Sequence, residues 1–221
     1  MRSLLRPDLY EVYCCRTSNL TPGDLAISSV FYPASGFTAA IVFGCTGDLK
    51  DQIIGRLKMA QSENCSGHPL LIIGILVELE RTRHREQVKE RTGLMMQRVL
   101  DLHNDDVNLT TTTARLKKDN YSVIVWIKII QLRDSMQSWK AQLQRMIEHA
   151  DQLEREIFVS GNNSIKDDWR QHAAHTGSQI KKRILEIFND YDHDIRQCTA
   201  VISGLTLATQ MVCSPALRLP S

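Results

Sequence analysis

The chain has 221 residues, 43% hydrophobic and 24% charged, and 27 Lys and Arg against 25 Asp and Glu leave a net charge of +2. This is enough apolar material for a sizeable core in one elongated domain or two small ones, and it excludes disorder as the default state. The near-neutral balance offers no basic footprint for a polyanion, so nucleic acid is not expected as a partner.

Residues 1–24 carry Pro7, Pro22 and Gly23 without a sustained period, which predicts a loosely ordered N-terminus with a short strand near 9–14. Cys14 and Cys15 are adjacent; a ring closed between them would be strained, so two ordinary thiols are expected there. Between Asp24 and Asp48 lie 23 uncharged residues, long enough to raise a membrane span. Ser28, Ser29, Tyr32, Pro33, Ser35, Gly36 and Thr38 interrupt that run, while Phe37–Phe43 is β-favouring and bounded by Gly36 and Gly44. The expectation is a buried strand, paired with Ala26–Tyr32 through a turn at 33–36.

Gly44-Cys45-Thr46-Gly47-Asp48 then leads into a helix over about 49–59, so that residues 25–61 form a small strand-turn-helix part. Strand, glycine loop and helix make the layout of a phosphate cradle. The lysine and hydroxyl of that motif are missing, and Asp48 and Asp51 would occupy and repel at the N–H groups a phosphate needs, so a capped turn is expected. After a polar linker at 62–67, Pro69 pre-sets a long helix that opens with the apolar run 70–77. From 78 to 91, nine of fourteen residues are charged, which reads as a solvated face; Met95, Val99 and Leu102 restore the apolar stripe before a polar loop at 104–113.

A further helix is predicted over about 121–158, although Val123-Ile124-Val125-Trp126-Ile127 could equally open it as a strand. Leu132, Met136, Trp139, Leu143, Met146, Ile147, Ala150, Leu153 and Ile157 recur at three and four, which fixes its later part as helix. A turn at 160–164 would send the chain back along it as an antiparallel helical hairpin. The last helix, 165–212, carries a seven-residue repeat: Ile184, Tyr191, Cys198, Leu205 and Val212 at one seam position, Ile187, Asp194, Val201 and Ala208 at the other, with Ile195 and Ile202 widening it. At roughly 1.5 Å per residue it is about 70 Å long, so it must pack on other helices, as a bundle member, a self-associating coil or a stalk. The tail at 213–221, with Pro215 and Pro220, is expected to be disordered. The fold class is therefore mainly α with a small β element: a long-helix bundle at 68–212 and a small α/β part before it.

Groupings with the atoms of a reactive site fail on spacing. Asp190, Asp192 and Asp194 open like a calcium loop, but its glycine position is Ile195 and its closing glutamate position is Val201, so solvated acids are expected. His172 and His175 lack a third metal ligand, and Glu80 and His84 share a helix face read as charged and open. No catalytic, cofactor-binding or metal-ligating residue is assigned, and the chain is not expected to be an enzyme. The six cysteines form no CxxC pair and residues 1–7 hold no apolar signal core, which places the chain in a reducing cytoplasm and makes its asparagine sequons (Asn19, Asn64, Asn108, Asn120, Asn162) chance matches.

The wording of several segments is similar to a known family. GFTAAIVFG at 36–44, His68-Pro69-Leu70-Leu71 leading to Glu78-Leu79-Glu80-Arg81, Trp139-Lys140-Ala141-Gln142-Leu143, and above all YDHDIRQCT at 191–199 followed by GLTLATQ at 204–210, resemble the soluble region of fungal CorA-like cation transporters over roughly residues 30–212. The resemblance implies an α/β cytosolic head, long stalk helices, and a C-terminal membrane hairpin that conducts magnesium as an oligomer. This chain departs from it: no apolar span follows Val212, no Gly-Met-Asn signature is present, and no pore or magnesium-ligating residue can be carried over. The expectation is a truncated, transport-incompetent relative, cytoplasmic unless its gene product continues into a membrane hairpin. Magnesium enters by the resemblance alone. Its partners would be further copies through helix 165–212 or, if the chain is an independent coiled-coil scaffold, a foreign helical protein.

Overall fold

The computed structural model describes residues 10–17, 23–33, 35–62, 68–104, 112–155 and 167–213. In chain order its elements are β1 (Glu11–Arg16), β2 (Ala26–Tyr32), β3 (Phe37–Phe43), α1 (Gly47–Ser62), α2 (Leu71–Asn104), α3 (Thr112–Leu153) and α4 (Asp167–Cys213). The chain is mainly helical with a small antiparallel sheet, as its patterning predicts. The first nine residues, most of the 62–67 linker, the centre of the 104–113 loop, the turn at 160–164 and the tail after 213 lie outside the described residues.

The sheet has the order β1-β2-β3, with both pairs antiparallel. β2 and β3 form the expected hairpin, and Gly36 takes the left-handed backbone (φ 63°) that its turn requires. Gly44 leaves β3 with φ 79°, and a Cβ there would lie 2.5 Å from the carbonyl oxygen of Asp24. Gly44→Ala is therefore expected to cost on the order of 2 kcal/mol, read as a lower urea midpoint at unchanged slope.

Direct partners in an antiparallel pair share a face, so the register sorts the sheet into two sides. Tyr13, Cys15, Ile27, Ser29 and Phe31 form a buried side that packs on the helices. β3, expected to be buried, is instead an exposed edge: Phe37, Ile41 and Phe43 are 57%, 62% and 56% exposed. An uncharged run of seven residues meets the composition of a central strand, but β3 has a strand partner on one flank only, β2, among the described residues.

The chain forms two compact units, Met1–Arg81 with Ser138–Asp190 and Thr82–Gln137 with Tyr191–Ser221, so both take residues from the helical region 68–212. In the first unit, Leu70, Ile73, Leu76 and Val77 of α2, Trp139 and Leu143 of α3, and Ile184 and Ile187 of α4 join the buried side of the sheet. Tyr13 stacks at a tilt on His149, with ring centroids 5.3 Å apart. Lys181 pairs with Asp151, and Lys140 lies 4.3 Å over the Phe188 ring, so α4 runs antiparallel to α3 as the hairpin expectation requires. Arg183 binds Glu78 and Arg81 binds Asp190, which sets α4 parallel to α2. These partly exposed ion pairs fix register and contribute about 0.2–1 kcal/mol each.

The second unit packs Val88 and Met95 of α2 with Val125, Ile129, Leu132 and Met136 of α3 and Tyr191, Cys198 and Leu205 of α4. α3 is helical from Thr112, so the strand alternative for 123–127 is not realised. Val125, Ile129 and Leu132 fall on one helical face and are buried there, and that packing outweighs the β preference of the branched side chains. Along α4 six positions of the seven-residue seam are buried, Ile184 and Ile187 in the first unit and Tyr191, Asp194, Cys198 and Leu205 in the second; Val201 is half-buried, and the side chains at 208 and 212 lie outside the described ones.

Candidate functional site

α2 does not become a solvated helix after Glu78. Its buried face continues through Glu80, His84, Val88, Thr92 and Met95, spaced three and four apart, with Glu80 2% and His84 0% exposed. The solvated-face expectation for 78–91 holds at Arg85, Glu86, Lys89 and Glu90 and fails at these two. It failed because polar residues stand in the stripe and erase the hydrophobic period. Thr92 satisfies itself by donating to the Val88 carbonyl at 2.7 Å.

Within the second unit His84 binds two neighbours at once. Its Nδ1 lies 2.9 Å from the Tyr191 hydroxyl on α4, and its Nε2 lies 3.2 Å from the Ser135 hydroxyl on α3. The Tyr191 ring also meets the imidazole edge-on, with centroids 5.7 Å apart. Burial, reinforced by the Arg83 and Arg91 charges, pushes the His84 pKa down to about 3, so the ring is neutral and one nitrogen donates while the other accepts. Asp194 and Cys198 extend this polar layer along α4; Cys198 is fully buried and its thiol is pushed up to about 11 by desolvation and then by Asp194. Asp194, expected to be solvated, is 8% exposed, because it occupies a seam position of α4 and therefore faces inward.

Serine, histidine and an orienting hydroxyl are the atom types of a nucleophile with its base. Here they are closed off: Ser135 and His84 have no exposed surface and Tyr191 has 1%. A histidine with a pKa near 3 is also a weak base at neutral pH. A slip of α2, α3 or α4 out of this register would strand buried polar groups, which carries an energetic cost.

The other groupings are placed as follows. Gly47 opens α1 with Asp48 in its first turn, and the Lys50 N–H donates to the Thr46 carbonyl at 2.9 Å. Asp190 is paired with Arg81, while Asp192 stands elsewhere on the same unbroken helix. His172 and His175 are exposed on α4, where His175 binds Gln179 one turn on at 2.9 Å. Cys14 and Cys15 are free thiols, Cys14 exposed and Cys15 buried, and burial together with the Glu80 charge pushes the Cys15 pKa up to about 12. Both line a cleft of about 270 Å³ with Ser138, Gln142 and Arg145 of α3. His68 is buried too, with its pKa pushed down to about 4 by desolvation; its Nδ1 accepts the Leu70 N–H at 3.1 Å at the start of α2. Among the described residues no three His, Cys, Asp or Glu side chains converge as a metal site, and no helix is long and apolar enough to cross a membrane.

The fold and its polar layer define a mainly helical protein with a three-stranded antiparallel sheet. Compared with known proteins, the chain matches no family model, no curated protein and no solved structure.

Proposed function

We propose that this chain is a non-catalytic helical assembly domain, akin to the soluble head and stalk of CorA-like magnesium transporters, that acts by associating with further copies of itself. The carrying observation is the apolar surface at one end of the second unit. The pairs His84 with Ser135, Arg91 with Lys128 and His84 with Tyr191 set the levels of the three helices. At the level beyond them Met96 and Leu100 of α2, Val123 and Ile124 of α3 and Leu207 of α4 are each at least half exposed. Exposed apolar residues carried by every helix at one level favour association over solvation.

The α4 seam is engaged within the chain, so this reading assigns contacts between copies through the 165–212 helix to its outer side, where Leu185 and Leu207 are exposed. The resemblance of 191–210 to a family stalk supports the same role, and the sealed Ser135–His84–Tyr191 layer supports the absence of catalysis.

In sedimentation velocity across a dilution series, the wild-type chain is expected to sediment as an oligomer. Ile124→Glu combined with Leu207→Glu should lower its mass while leaving far-UV circular dichroism unchanged. A monomer at every concentration would overturn self-association and favour the scaffold that binds a foreign helical protein.

A further inference from the structure

The side of the sheet away from the helices is apolar, which is unusual for an antiparallel sheet with one face open. It carries Val12 and Cys14 of β1, Ala26, Val30 and Tyr32 of β2, and Phe37, Ala39, Ile41 and Phe43 of β3, with Ser28 the one uncharged polar residue among them. Tyr10, Tyr32 and Phe37 form an aromatic row across it, with successive ring centroids 6.3 and 6.2 Å apart. Arg16 is the one charged side chain on this face among the paired residues, and it is already bound to Asp24 at 2.7 Å.

We infer that the β3 edge of this sheet is an interaction surface for a second copy of the chain, joined by antiparallel pairing of β3 with the same strand of that copy. The inference stands on the first unit and does not depend on the assembly role proposed for the helices. Three observations fix the occupant. First, β3 pairs on one side with β2 and has no strand on its other side among the described residues, so alternate N–H and C=O groups along it point outward. It also lacks the devices that protect an edge, having no charge, proline or glycine within Phe37–Phe43.

Second, the strand is self-complementary. A twofold axis at Ala40 sets Phe37 opposite the second copy's Phe43, Thr38 opposite its Val42 and Ala39 opposite its Ile41. Each copy thus gives and receives one aromatic cross-strand pair; on that face Phe37, Ala39, Ile41 and Phe43 each meet an apolar residue, while on the other face Val42 meets Thr38. Third, the pairing gives cross-strand neighbours to the apolar side chains that β3 exposes: Phe37, Ile41 and Phe43 are 57%, 62% and 56% exposed in the single chain.

Ile41→Lys, on a residue 62% exposed, is expected to halve the mass of the sheet-linked species in sedimentation velocity with unchanged circular dichroism. As a positive readout, Ala40→Cys under mild oxidation should yield a disulfide between the two position-40 thiols, identified as one cross-linked peptide by mass spectrometry. Phe37→Cys should give no such link to its own counterpart, because position 37 faces position 43. Ile124→Glu with Leu207→Glu should leave the position-40 link intact, which separates this inference from the helical assembly reading. Failure of the position-40 link to form overturns the pairing, whatever the mass; a mass unmoved by Ile41→Lys overturns it as well.

Discussion

Trp139→Ala is expected to lower the free energy of unfolding by about 3–5 kcal/mol. Trp139 is the largest side chain with essentially no exposed surface among the described residues, and it lies in the first unit among the α2, α3 and α4 residues that cover the sheet. Removing it opens a cavity that surrounding helices cannot fully close. A loss of that size approaches the whole stability of a typical domain. The same residue provides its own control, since its indole N–H is buried without an acceptor. Trp139→Phe keeps most of the ring and removes an unsatisfied donor, so its expected cost is only about 1 kcal/mol. Urea denaturation followed by circular dichroism compares the two. Equal losses would show that the indole N–H has a partner worth keeping.

The stability of the protein is expected to fall steeply in mild acid, and His84 is the main reason. Its folded-state pKa is about 3 against an ordinary value of 6.5, with burial the chief cause. The unfolded chain therefore takes up a proton that the folded chain refuses. Stability from the neutral, buried ring is fully present above pH 6.5 and is lost as the pH falls toward about 3. Each unit of that interval is worth about 1.4 kcal/mol. His68, pushed down to about 4 by burial, adds a loss of the same sign in the first unit. Urea midpoints measured from neutral pH downward should drop in the wild type and drop less in His84→Gln, which removes one titrating group and keeps an amide in the polar layer. Parallel curves for the two proteins would place the acid sensitivity elsewhere. At neutral pH the Gln variant should itself be destabilised, because an amide cannot reach both Tyr191 and Ser135 as the imidazole does.

The helices were legible because their apolar residues recur at three and four over long stretches, and the β2–β3 hairpin because Gly36 and Gly44 punctuate it. β3 misled because an uncharged strand reads the same whether it lies in a core or waits for a partner. The polar layer was missed for the opposite reason. Glu80, His84 and Thr92 look like surface residues one at a time, and their place between Leu76 and Met95 at helical spacing was the available signal. Nothing local could have pointed to Ser135 and Tyr191, which come to His84 from 51 and 107 residues away. Helix α3 also began well before its predicted start: Thr112–Leu153 opens with polar residues whose helical state no apolar stripe announces.

The division of the chain into Met1–Arg81 with Ser138–Asp190 and Thr82–Gln137 with Tyr191–Ser221 has a consequence for biosynthesis. As the polypeptide leaves the ribosome it visits the first unit, the second, the first again and the second again. Neither core can be completed in its turn. The first closes only when Asp190 has emerged, and the second waits longer, because the hydroxyl that holds His84 arrives with Tyr191. Until then the nascent chain carries two half-built apolar faces side by side in time, which is the situation that holdase chaperones relieve.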